Sequence, residues 1–186
     1  MGLFFFGFGE ALLVTSQMGV SPWTALAQGL SNVTGLGLGL STFIISIFVL
    51  LLWIPLKQSP GIGTVLNAII ISLTLHYAIP FLPVFENNIL RLSQAFLGVF
   101  ITGLGGGIYL IANLGPGARD GLMTGLQRLT NFPIAWVRSI IELSVLTIGW
   151  WLGGVIGLGT ILFALGIGPC LAISLTIFGS RKSEIE

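Results

Sequence analysis

The sequence predicts an all-α polytopic membrane protein: six transmembrane helices in two inverted three-helix repeats, each with a short broken or re-entrant helix. Three observations carry that prediction. Mean hydropathy is +1.04, with only 7 % charged residues among 186, far outside the range of a soluble domain. Six apolar runs approach the roughly 20 residues that a spanning helix requires. And the chain matches itself, without a gap, at an offset of 96 residues.

The first run, 1–17, begins "MGLFFFGFGEALLV". It lacks the basic n-region of a signal peptide, and equally apolar runs follow it, so it reads as a retained span. "MGVSPWTALAQGLSNVT" (18–34) comes next. Ser21 before Pro22 is a helix start, a capping hydroxyl followed by proline at the first helical position. Some 13 residues of helix reach about 20 Å, short of the roughly 30 Å hydrocarbon core. The second and third spans are 38–56, entered through "GLGLG", and 61–82, entered through "GIGT". A loop and the start of the fourth span occupy 84–97, so the first repeat is 1–83. The second repeat, 98–179, contains the rest of the fourth span (90–112), the short segment "NLGPGARDGLMTGLQRLT" (113–130), and spans 133–152 and 157–179. A tail, 180–186, closes the chain.

From 2–83 against 98–179 there are 21 identities, seven of them glycines. Each copy holds an odd number of spans, so the second enters from the opposite side, the layout of many transporters. Lys57, Arg119, Arg128, Arg181 and Lys182 fall on one side, with Arg138 near it. Arg91, near Glu86, falls on the other. The positive-inside rule then places both termini in the cytoplasm. In each short helix small residues recur every fourth position: Ser21, Ala25 and Gly29, then Gly117, Gly121 and Gly125. That spacing lets another helix approach closely in lipid and favours a re-entrant segment over a surface one. The Trp150–Trp151 pair and Trp53 read as an aromatic belt.

Polar groups inside apolar runs mark candidate sites. Glu10 and Glu142 each stand tenth in their runs, near the midplane, and Arg138 is one helical turn from Glu142. Arg119 and Asp120 open the second short helix. The copies differ at these places: Arg119 lies over Trp23, Asp120 over Thr24, Arg138 over Thr42, Glu142 over Ser46, and Glu10 over Gly106. Charge has made a symmetric scaffold asymmetric, as a single off-axis substrate site would require. An Arg138–Glu142 ion pair that merely holds the helix in register is the competing account, and it leaves Glu10 unexplained. Ser21, Thr24, the matched amides Gln17 and Asn113, and the matched hydroxyls Thr64 and Thr160 complete the candidate substrate-binding set. Asn67 and His76 are further polar groups of the third span, His76 in an interfacial position.

Enzyme chemistry is disfavoured. There is no Gly-x-Ser-x-Gly setting, one aspartate where an aspartyl intramembrane protease needs two, and no His/Cys cluster with metal-ligand spacing. No cofactor or metal is expected. Cys170, the single cysteine, excludes a disulfide within one chain. A net charge of +1 points to no nucleic-acid partner.

The motifs "GVSPW" (19–23), "GARDG" (117–121), "RSIIEL" (138–143), "IGWWLGG" (148–154) and "GLGTILFALGIGP" (157–169) resemble the YczE-like branch of the YitT family of bacterial integral membrane proteins. The resemblance spans nearly the whole chain and implies a multi-pass protein of the bacterial cytoplasmic (inner) membrane. It brings no catalytic or binding residues with it. The function expected from the residues is movement of a small solute through a site between the repeats. The alternatives are a binding subunit for an energising partner, or a non-transporting scaffold. The bilayer, an unidentified solute and a second copy or energising subunit are the expected partners.

Overall fold

The computed structural model describes residues 1–183. The described chain is helical throughout: α1 (Gly2–Ser16), α2 (Pro22–Thr34), α3 (Leu38–Leu52), α4 (Ile62–Ala78) continued by a 3-10 turn (Ile79–Phe81), α5 (Asn88–Ile111), α6 (Ala118–Thr130), α7 (Ile134–Trp151) and α8 (Leu158–Ser183). Of the tail expected over 180–186, residues 184–186 lie outside the described ones. Four helical stretches are long and apolar enough to cross a membrane. A fifth span results if α2 and α3, bent by 113° at the break between them, count as one. Six independent spans are not reached, because α1 and α3 are each 15 residues, about 22 Å of helix.

The breaks have local causes. α1 ends where Gln17 turns left-handed (φ 55°) and its N–H bonds the Val14 carbonyl. Gly19 follows at φ 109°, a conformation that only glycine adopts cheaply. α5 ends in the same way: Asn113 has φ 50° and Gly115 φ 120°. α3 unwinds after Leu52 through Pro55 to Lys57 at φ 52°, shorter than the span expected over 38–56.

The 96-residue period of the sequence is also a period of the structure. α2 and α6 start at 22 and 118, α3 and α7 at 38 and 134, α4 and α8 at 62 and 158. The halves interlock through matched bonds. Gly63 N–H donates to the Leu114 carbonyl at 2.8 Å, and Gly159 N–H donates to Met18 at 2.6 Å. Each third helix is thereby tied to the loop that precedes the other half's short helix. Thr64 Oγ1 accepts from Gly61 N (3.2 Å) and donates to the Pro116 carbonyl (2.6 Å), while Thr160 Oγ1 accepts from Gly157 N (3.3 Å).

Helix packing follows the glycines, as it must where lipid supplies no hydrophobic drive between helices. α1 lies against α5 so closely that a Cβ on Gly9 would stand 2.5 Å from Thr102 N and 2.6 Å from the Gly98 carbonyl. Its counterpart Gly105 meets the backbone of Phe6 and Gly2. The small-residue ladder of α2 receives α7: Gly29 meets Leu152 and Gly149 meets Ala25. That of α6 receives α3: Gly121 lies on the Trp53 ring and Gly125 on Leu56.

Trp53 is therefore not part of an aromatic belt. It is 1 % exposed, packs with Trp23, Val49, Ala118 and Leu122, and donates its indole N–H to the Ala118 carbonyl at 2.9 Å. Trp150 and Trp151 do face outward, as do Phe48, Phe96 and Leu165. An apolar exterior around a seam of glycines and hydroxyls is the inverse of a soluble domain.

Candidate functional site

Where the starts of α2 and α6 approach, the helices enclose a cavity of about 220 Å³, room for several waters or one small solute. Its polar lining is Arg119 and Asp120 of α6, Tyr109 of α5, Asn67 of α4, and Arg138 and Glu142 of α7. Phe6, Ile71, Phe163 and Leu171 are among its apolar walls. Gly106, the counterpart of Glu10, also borders it, and the missing side chain there helps leave the space open.

Arg119 sits in the first turn of α6, where the helix dipole opposes a cation. Its guanidinium carbon is 5.4 Å from the centre of the Trp23 ring, a cation–π distance. Glu10, Asp120, Glu142 and Tyr109 all act on it electrostatically. Yet among the described residues none makes a hydrogen bond or ion pair to it; the one ion pair within 4 Å is Arg138–Glu142. Arg119 is partly exposed and lines the cavity.

Asp120 is held from α5. The Tyr109 hydroxyl donates to its Oδ2 at 2.9 Å and accepts from Gly117 N at 2.9 Å. A carboxylate in the first turn also suits the helix dipole. Arg138 Nε and Glu142 Oε1 are 2.9 Å apart across one turn of α7, with side chains 53 % and 30 % exposed. Both residues of that pair border the cavity.

Behind the lining is a second, sealed cluster. Glu10 is fully buried. Its Oε2 accepts from Ser21 Oγ at 2.9 Å and from Thr24 Oγ1 at 2.7 Å, and the two hydroxyl oxygens are 3.0 Å apart. Ser21 is the N-cap of α2, but its hydroxyl makes no capping bond because it is turned to Glu10. Among the described residues Glu10 Oε1 has no partner.

The candidate residues thus divide. Arg119, Asp120, Arg138 and Glu142 line the cavity; Glu10, Ser21 and Thr24 form the cluster behind it. Thr64 and Thr160 tie the starts of α4 and α8. Gln17 accepts from Arg91 through its carbonyl and side-chain oxygens (3.0 and 3.3 Å), joining the end of α1 to α5. Asn113 is exposed at the matching turn. None of these last four lines the cavity. Tyr109 and Trp23 escaped the sequence reading. A tyrosine in a glycine-rich apolar span eleven residues before the chain's single aspartate was the available signal for Tyr109.

A family model described as a family of unknown function, DUF6198, matches residues 1–176. The chain belongs to the DUF6198 family. A Haemophilus influenzae relative, described as an uncharacterized protein, is 42 % identical over 171 residues, covering 92 % of this chain and 78 % of its own. The uncharacterized membrane protein YczE of Bacillus subtilis is 35 % identical over 94 % of this chain and 82 % of its own. The uncharacterized protein YyaS of Bacillus subtilis is 28 % identical over 87 % and 83 %. No solved structure matches the chain. The relative's description agrees with the four to five spans and the apolar exterior: this DUF6198 member is a membrane protein.

Proposed function

We propose that this DUF6198 protein moves a small solute across the bacterial cytoplasmic membrane, and that the cavity at the starts of α2 and α6 is the substrate site. In this reading the halves form an inverted repeat of three membrane-crossing elements each, with both termini in the cytoplasm. α1 and α3 cross by joining to α2 and to the turns that follow them, and the kinship extends to the YitT family. The chain carries out no covalent chemistry.

The observation that carries the proposal is the guanidinium of Arg119. An arginine in the interior of a membrane protein is costly and normally faces a partner or a wet cavity. Arg119 faces a cavity with its donors uncommitted, so the favoured partner is an oxyanion group of the solute. Asp120 and Asn67, which also line the cavity, offer acceptors to a cationic or hydroxyl group of the same molecule. Glu142, already committed to Arg138, supports the wall rather than the solute.

Thermal unfolding of the purified protein against a panel of small carboxylates and phosphates, beside Arg119→Gln, tests this. At a hundred times its dissociation constant a ligand adds about 2.7 kcal/mol to the folded state. We expect at least one carboxylate or phosphate to raise the midpoint of the wild type and not of the variant. If none does, the cavity is not an anion site. Uptake of the same compound by proteoliposomes holding this chain alone then separates transport from a binding subunit that needs an energising partner.

A further inference from the structure

We propose that Glu10, with Ser21 and Thr24, is a proton-binding site coupled through Arg119 to the occupancy of the cavity. Its use in solute movement rests on the reading above; the site itself does not.

The hydrogen-bond pattern around Glu10 is lopsided. Oε2 takes both hydroxyls and Oε1 takes none. A carboxylate divides its charge over both oxygens, and a buried anionic oxygen without a donor is among the most expensive arrangements a protein can hold. Oε1 is left to take a proton, and the neutral carboxylic acid is the form the site holds once no cation supports the charge. Oε2 is then the carbonyl, accepting from Ser21 and Thr24, and Oε1 carries the proton.

What opposes the neutral form is the cation across the interface. Arg119 is the charged group that bears on Glu10. Among the described residues the other elements around it contribute none: α5 presents Gly98, Thr102 and Gly105 to α1, α4 presents Ile71 and Thr74, and α2 presents the two hydroxyls. Asp120, Glu142 and Tyr109 act on Arg119, and Arg138 is held by Glu142.

Glu10 is thus poised between two ways of being neutralised. With Arg119 uncompensated, its field supports the carboxylate. When an anion settles on the guanidinium, that support is cancelled, and Glu10 Oε1 takes a proton from hydronium. One O–H bond forms on the carboxyl as one breaks in the hydronium, which is left as water, and no oxidation state changes. Anion and proton then occupy the protein together, which makes the proton the coupling ion. The Ser21 hydroxyl, diverted from its capping position, links the event to the start of α2.

The test is infrared spectroscopy of the full chain in lipid nanodiscs, titrated over the pH range in which it stays folded. The spectra would be recorded for the wild type, Glu10→Gln, Arg119→Gln and Thr24→Val. We expect a carboxylic-acid C=O band that grows as pH falls and is missing from Glu10→Gln. Arg119→Gln, standing in for an occupied cavity, should raise the proton affinity read from that band about tenfold, a shift of one pH unit. Thr24→Val, which removes one donor from the C=O, should move the band itself, so the assignment survives if Glu10→Gln does not fold. A band that does not titrate, that persists in Glu10→Gln, or that is indifferent to Arg119→Gln overturns the proposal. Loss of solute uptake alone, with the titration intact, would count against the transport reading and leave the proton site standing.

Discussion

The starts of α2 and α6 are the same place in the two halves, and each holds a carboxylate in a different way. At α2 the acid, Glu10, belongs to the preceding helix, and the hydroxyls, Ser21 and Thr24, belong to the short one. At α6 the roles are exchanged: Asp120 stands in the position of Thr24, and the hydroxyl that serves it, Tyr109, comes from the preceding helix. Glu10 is sealed and Asp120 is exposed to the cavity. The difference traces to single residues, since Gly106 replaces Glu10 and Tyr109 replaces Leu13. One backbone frame supports a closed polar cluster in one half and an open site in the other.

The largest effect should come from breaking what the halves share. Gly9→Val and Gly105→Val each drive a side chain into backbone across the α1–α5 seam. Each should cost at least about 3 kcal/mol in detergent unfolding. Unequal costs would show that the seam is not symmetric. Gly106→Ala, whose nearest neighbour would be Leu171 Cδ1 at 3.3 Å, should be tolerated.

Next is the contrast itself. Thr24→Val takes a donor from a fully buried carboxyl and should cost about 2 kcal/mol. Tyr109→Phe takes a donor from an exposed one, where water substitutes, and should cost under about 1 kcal/mol. Equal costs would mean that the two carboxylates are equally wet.

Trp53→Phe keeps the ring on Gly121 but loses the bond to Ala118, worth about 1 kcal/mol by the same denaturation; its counterpart Gly149 has no such bond to lose. Smallest is Arg138→Gln. It breaks a half-exposed i,i+4 pair worth about 0.5 kcal/mol or less, at a position where the other half has the neutral Thr42 and Ser46. A cost of several kcal/mol would make that pair the organiser of α7.

Much of this was legible in advance where a signal is local or periodic. Ser21–Pro22 marked the start of α2, and the offset of 96 aligned α6, α7 and α8 with α2, α3 and α4. The ladders at Gly29 and Gly125 announced close helix contacts. Trp53 and Gln17 were less legible. An aromatic near the end of an apolar run reads as interfacial unless one knows that Gly121, 68 positions away, leaves a slot for it. Likewise nothing local to Gln17 indicates that Arg91 draws it away from the cavity.

The membrane class, the helix starts and the doubled architecture are properties of the sequence alone, because hydropathy, capping residues and glycine spacing act over one or two helical turns or recur at a constant interval. Which polar groups meet was decided only by the tertiary structure. Glu10 reaches Ser21 and Thr24 because α1 turns back at Gln17 and Gly19. Tyr109 reaches Asp120 by the same turn in the other half, and Arg119 faces a cavity that Gly106 of α5 borders. Those meetings depend on backbones brought within a few ångströms across distant parts of the chain, and a side chain's partners are fixed by that approach rather than by its neighbours in sequence.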